Sequence, residues 1–314
     1  MLLPLQDSII QEVTFKHGNS QPLKLWIKRD DLLHPQISGN KYRKLKYNLE
    51  AAKNQGFDTL LTFGGAYSNH IAATAAAGAE FGIKTIGVIR GDELAIDLKK
   101  TISDNPTLSL AYKNGMRFKF VDRKSYRLKH TKAFINDLKK EYGNFYLVPE
   151  GGTNQLAIKG TEEIIGEKEE EFDYICSAIG TGGTISGIIN SARTHQKVLG
   201  FPALKENFLH KEISKYVNNT QNWELIRAYN FGGFAKINEE LVLFINDFKK
   251  QTGLQLDPIY TGKMLFGIVD LHKKGFFKQK DKILAVHSGG LQGIDGMNIR
   301  LMNKNLPIII TSDV

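Results

Sequence analysis

Short apolar runs, several of them ending in glycine and most with a helical stretch behind them, constrain this chain more than any other feature. "DTLLTFGG" (58–65) reads as a buried strand, and the alanine-rich "SNHIAATAAAGAEFG" after it reads as a helix with Ser68 as a plausible N-cap. "KTIGVIRG", "RFKFVD", "NFYLVPEGG", "DYICSAIGTGG", "QKVLGFPA" and "DKILAVHSGG" repeat the theme. Such alternation predicts an α/β fold whose parallel sheet is covered on both faces. In open sheets of this kind the ligand crevice lies beyond the carboxyl ends of the strands, so chemistry is expected at the glycine clusters. The charge run "EEIIGEKEEEFD" (162–173) is expected to be the solvated face of a helix. No internal repeat, low-complexity tract or flexible linker interrupts the pattern, so a division into two lobes would be discontinuous or short-linked.

Composition removes several alternatives. The 314 residues suffice for a sizeable core, and no run approaches the roughly 20 apolar residues of a membrane span. The opening "MLLPLQDSII" lacks a basic n-region and a cleavage site, so no secretory leader is expected. Cys176 is the one cysteine, which excludes an intrachain disulfide and suits a reducing cytoplasm. The formal charge of +9 comes from 42 basic and 33 acidic residues that are interspersed, with no nucleic-acid-binding signature, so small anionic substrates are the expected partners. No HExxH spacing occurs among the eight histidines, and one thiol cannot build a metal cage.

Five stretches could carry chemistry. In "IGTGGTISG" a strand runs into Gly180-Thr181-Gly182-Gly183-Thr184 and a helix opens. Glycines admit an anion close to the backbone, and the helix start offers amide donors, so the stretch reads as a phosphate cradle or as a tight turn. It is neither a P-loop nor a dinucleotide fingerprint. "VHSGG" sets Ser288 at a strand end, with His287 a shuttle or a structural residue. "FGGAYSNH" brings Ser68, Asn69 and His70 to a helix start, which could seat a carboxylate or merely cap. "DPIYTGK" holds Tyr260 and Thr261 behind an Asp-Pro turn. "SGNKYRK" holds Lys41 and Lys44, surface charges or functional amines.

These stretches, with "PEGGTN", occur in one order in a known family. The chain resembles the fold-type II pyridoxal 5'-phosphate enzymes, in the group of 1-aminocyclopropane-1-carboxylate deaminase and D-cysteine desulfhydrase. The resemblance implies a tryptophan synthase β-like α/β fold of two open parallel-sheet lobes with the cofactor in the cleft. The implied lobes are a small one of 45–148 and a large one of 1–44 plus 149–314. By resemblance Lys41 forms the Schiff base with the cofactor and serves as the base. Thr181, Gly182, Gly183, Thr184 and Lys44 hold its phosphate, Asn69 its ring hydroxyl and Ser288 its ring nitrogen. Ser68, Asn69, His70, Tyr260 and Thr261 are then expected around a small amino-acid substrate, with Ser68 and Tyr260 catalytic. Deaminase members carry an acid after the tyrosine and Gln after Ser-Asn, whereas this chain has Thr261 and His70. Both differences favour β-elimination from D-cysteine or a similar D-amino acid over cyclopropane opening. A non-catalytic cofactor-binding protein is the other alternative. A cytoplasmic homodimer is expected, with no membrane or nucleic-acid partner.

Overall fold

The computed structural model describes residues 3–311 except 5, 19, 206, 207 and 219–221, so parts of the opening segment and of the stretch 201–219 lie outside the described residues. Among the described residues, ten strands form two sheets. The six-stranded sheet comprises β1 (Ile10–Phe15), β2 (Leu23–Lys28), β7 (Tyr174–Ile179), β8 (Lys197–Pro202), β9 (Trp223–Leu225) and β10 (Ile283–Val286), in the order β1-β2-β10-β7-β8-β9. Only the β1–β2 pair is antiparallel. The four-stranded sheet, β3 (Thr59–Gly65), β4 (Lys84–Arg90), β5 (Arg117–Val121) and β6 (Tyr146–Val148), is wholly parallel in the order β5-β4-β3-β6.

Alternation of side chains explains the uninterrupted apolar runs. On β7, Cys176 and Ala178 pack into one core with Leu25, Phe201 and Phe248, while Ile175 and Ile179 face a second core with Ile185, Ile188 and Val286. Both faces are covered, so each successive residue must be apolar. In the smaller sheet, Leu60 packs with Leu45, Leu49 and Ala76, while Leu61 and Phe63 pack with Ile86 and Val88 on the other face. Cys176 is fully buried and burial pushes its thiol up, which makes it a core residue and not a reactive one. Among the described residues, no helix is long and apolar enough to cross a membrane.

The structure corrects one expectation. Residues 162–173 are not a solvated helix, because the α-helix Gln155–Glu162 ends there and a short 3-10 turn, Glu167–Glu169, follows an extended Gly166. Two of these acids are counter-ions of interior lysines. Glu169 is 2% exposed and accepts from Lys28 Nζ at 2.6 Å, and Glu163 accepts from Lys46 Nζ at 2.7 Å. Burying a lysine requires a partner, and the partner leaves the surface with it.

Candidate active site at the carboxyl ends of the strands

The helix Asn40–Asn54 begins where β10 ends, and one glycine makes the approach possible. Gly39 has φ of 62°, and a Cβ there would lie 1.9 Å from the Ser288 carbonyl oxygen. The Asn40 amide donates to that oxygen at 3.2 Å. Lys41 therefore starts its helix beside the end of β10, half-buried, with Nζ donating to Asn40 Oδ1 at 2.9 Å. Asn40 Nδ2 in turn donates to Thr184 Oγ1 at 2.7 Å, tying this helix to the glycine loop. Among the described residues, no carboxylate bonds the Lys41 amine. Burial lowers its pKa to about 8, opposed by the charge of Asp257.

Lys44 lies one turn further on and is buried. Its Nζ donates to the Gly151 carbonyl at 2.9 Å and to Thr153 Oγ1 at 3.0 Å, with Thr181 Oγ1 at 3.5 Å. These partners are neutral, so burial and then the nearby Lys41 hold its pKa well below the usual lysine value. The loop after β7 faces this cation. A Cβ at Gly183 would lie 2.8 Å from Lys44 Nζ and 2.8 Å from Thr153 Oγ1. The helix Gly183–Ser191 opens here, so amide donors, two threonine hydroxyls and a lysine amine with no carboxylate partner among the described residues converge on one cradle.

The second wall is the start of the helix Asn69–Phe81. Ser68 Oγ caps it, accepting from the Ile71 amide at 3.4 Å. Asn69 Oδ1 is buried and has no hydrogen-bond partner among the described residues, an unsatisfied acceptor at the start of this helix. Gly290, behind Ser288, borders it: a Cβ there would lie 2.8 Å from Asn69 Nδ2. His70 is 1% exposed, and its Nε2 pairs with Thr62 Oγ1 at 2.8 Å. Burial, with Lys41 and Lys44 adding, depresses it well below the usual imidazole value, so it is neutral.

The third wall is the start of the helix Thr261–Lys273, which Asp257 organises. Its buried carboxylate accepts from the amides of Ile259, Tyr260 and Thr261 at 2.9, 2.9 and 2.7 Å, and from Thr261 Oγ1 at 2.7 Å. Tyr260 is thereby fixed over the glycine loop, where a Cβ at Gly180 would lie 3.2 Å from its ring. Burial raises its phenol, and the charges of Asp257 and Glu150 raise it further, so the hydroxyl keeps its proton. The Thr261 hydroxyl is committed to Asp257 and its side chain is fully buried. His287 is also structural, since its Nε2 meets the Gln255 carbonyl at 2.8 Å and its Nδ1 lies 3.4 Å from Asp31.

The structure thus gathers Lys41, Lys44, Asn69, the glycine loop, Tyr260 and Ser288 at the ends of β3, β7 and β10. It turns the side chains of His70 and Thr261 toward Thr62 and Asp257. Three participants went unassigned in the sequence: Asn40, Thr153 and Asp257. The signal for Thr153 was present in "PEGGTN", and that for Asp257 was an acid three residues before a helix-opening tyrosine.

Comparison with known proteins agrees with this geometry. The family model described as "Pyridoxal-phosphate dependent enzyme" matches residues 14–289. A Pyrococcus horikoshii relative, provisionally named a 1-aminocyclopropane-1-carboxylate deaminase, is 32% identical over 287 residues, 86% of this chain and 85% of its own. The mitochondrial bifunctional D-cysteine desulfhydrase/1-aminocyclopropane-1-carboxylate deaminase of Arabidopsis thaliana is 31% identical over 86% of this chain and 73% of its own. A crystal structure of an ACC deaminase homologue superposes with a TM-score of 0.78 at 29% identity, covering 96% of this chain and 95% of that one. With the cradle, the amine and the open acceptor in place, and a family match spanning most of its length, this chain belongs to the pyridoxal-phosphate dependent enzymes.

Proposed function

We propose that this enzyme is a deaminating lyase that performs β-elimination on D-cysteine or a similar small D-amino acid. D-cysteine and water would give pyruvate, ammonia and hydrogen sulfide. The observation that carries the reading is Lys41: a half-buried amine, held at about 8, with no carboxylate bonded to it, beside a cradle for a phosphate. When bound, pyridoxal phosphate supplies an aldehyde that captures an amino group and a ring that draws electrons from the α-carbon. Thr181, Gly182, Gly183, Thr184 and Lys44 would bind its phosphate, Asn69 its ring hydroxyl and Ser288 its ring nitrogen.

The remaining chemistry belongs to this chain. Lys41 would anchor the cofactor covalently and would take the proton from the substrate α-carbon; an amine near 8 has an accessible neutral form for that task. Ser68 and Asn69 would seat the substrate carboxylate at the helix start. Tyr260, protonated and fixed by Asp257, would donate to the departing group. Thr261 and His70 would act through position, Thr261 by holding Asp257 and His70 as a neutral wedge beside Lys44. The neutral Thr261 in place of an acid supports elimination over cyclopropane opening, with 1-aminocyclopropane-1-carboxylate deamination as the rival activity. We further propose that 45–148 closes as a small lobe against 1–44 and 149–314, because β3–β6 all fall in the first range and the other six strands fall outside it. A cytoplasmic homodimer completes the reading.

An absorption spectrum of the purified protein, followed by D- and then L-cysteine, tests it. The expected result is a band at the edge of the visible that shifts with D-cysteine and yields pyruvate. A band unchanged by every amino acid tried, 1-aminocyclopropane-1-carboxylate included, would overturn the lyase reading.

A further inference from the structure

A cavity of about 500 Å³ opens at the carboxyl edge of the four-stranded sheet, and its charge is unbalanced. Gly65 ends β3, Arg90 ends β4 in register with it, and Arg123 and Arg127 follow β5. In an open parallel sheet this edge is where ligands bind. Arg90, Arg123, Arg127 and Lys129 line the cavity against Glu93 and Glu150. Arg123 pairs with Glu93 at 2.6 Å and Lys129 with Glu150 at 3.2 Å. Arg90 and Arg127 have no carboxylate partner among the described residues.

The floor is built to present these cations. Tyr126 is buried, and its hydroxyl is pinned to Glu150 Oε1 at 2.8 Å. The Arg90 guanidinium sits 5.8 Å from the ring centre and Lys129 Nζ 4.7 Å from it. An aromatic face orients a cation without cancelling its charge. The guanidinium lies beside Gly65, its Nη2 3.6 Å from where a Cβ would stand, an ordinary contact distance.

The cavity also adjoins the site described above. Gly65, Ala66 and Tyr67 lead directly into Ser68, whose amide donates to the Gly65 carbonyl at 3.1 Å. Glu150 precedes Gly151, whose carbonyl holds Lys44, and the Glu150 charge is felt by Tyr260.

We propose that Arg90 and Arg127 receive a second anionic group, a carboxylate, sulfonate or phosphate, carried on the side chain of the amino-acid substrate. This rests on the lyase reading for what occupies the neighbouring site. Guanidinium groups suit such anions because their fork matches two oxygens at once.

The test is calorimetric binding to the cofactor-loaded enzyme at low ionic strength, with each ligand as both enantiomers. O-Phosphoserine is compared with serine, and glutamate with glutamine. The expected result is that at least one anionic ligand binds roughly 10-fold tighter than its neutral partner, from charge-assisted contacts. The combined substitution Arg90→Gln/Arg127→Gln should erase that advantage and leave the neutral ligands unchanged. Arg90→Lys/Arg127→Lys, which keeps the charge but not the fork, should retain part of it. No advantage in either pair, or an advantage that survives the double Gln variant, overturns the proposal. Inorganic phosphate is the control for source: if the arginines bind it while neither anionic amino acid gains over its neutral partner, the cavity serves a separate anion and the substrate assignment falls. An arginine-dependent advantage in a protein that turns over no amino acid would uphold the cavity and sink the lyase reading instead.

Discussion

The helix Asn40–Asn54 carries two pairs of cations with the same spacing and opposite treatment. Lys41 and Lys44 point one way; Arg43 and Lys46, each two residues on and so about 200° around the helix, point the other. Arg43 is 1% exposed and sits in a fork on Asp30, with Nε to Oδ2 at 2.6 Å and Nη2 to Oδ1 at 2.9 Å. Burial works to lower its pKa, yet Asp30 prevails and the value rises. Lys46 reaches both oxygens of Glu163, at 2.7 and 2.9 Å. Among the described residues, Lys44, equally buried, meets only carbonyl and hydroxyl oxygens, and Lys41 meets an amide oxygen. An interior cation without a counter-ion costs stability. The anchor face avoids that cost with carboxylates, while the site face bears it, which fits a place where an anion and an aldehyde are to arrive.

Substitutions that exchange the roles of the two faces give the largest effects. Lys41→Ala should abolish covalent cofactor anchoring and cut pyruvate formation by more than about 10³-fold, without destabilising the cofactor-free protein. A variant that kept both the visible band and the activity would return Lys41 to the ordinary lysines. Arg43→Ala should instead cost about 3–5 kcal/mol in chemical denaturation, because Asp30 would be stranded in the core. If Arg43→Ala unfolded as readily as wild type, the contrast between the faces would collapse. Lys44→Met should move two quantities in opposite directions: the cofactor-free protein gains roughly 1 kcal/mol as a buried cation disappears, while cofactor affinity falls. Loss of both together would mark Lys44 as a second anchor.

How much of this was legible depends on whether a signal is local. Strands β3, β4, β7, β8 and β10 could be read because covered parallel strands are apolar along most of their length, and all but β8 run into glycine. The β1–β2 hairpin went unread, although "EVTF" and "LKLW" alternate as a half-exposed antiparallel pair should. Strand β9 has three residues and no pattern to see. At the site, Lys41 and the run 180–184 stood out because their residue types are unusual in that spacing. Asp257 did not, since an acid bonded to the next few amides looks like any turn. The partners of His70 and Thr261 depend on which side chain the fold brings alongside, and no short motif displays that. Glu163 and Glu169 were misplaced for the same reason: nothing local announces that a lysine more than a hundred residues earlier is buried against them.

The smallest effect sharpens the comparison through pH. Lys41 and Lys263 are both lowered by burial to about 8, opposed by Asp257, and Lys263 donates to the carbonyls of Asn230 and Gly233. Both return to the ordinary lysine value of about 10.5 on unfolding. Between about 8 and 10.5 the unfolded chain therefore holds more protons than the fold, and stability contributed by these residues rises with pH. Below about 8 both states are protonated and the slope vanishes. Denaturation midpoints of the cofactor-free wild type and of Lys41→Met, followed from pH 7.5 to 10, cancel every lysine the two proteins share. The wild type should gain on the variant steadily across that window, and Lys263→Met should show a gap of the same sign. A gap that stays constant would mean that Lys41 titrates as an ordinary surface amine and that the two faces of its helix do not differ in charge economy at all.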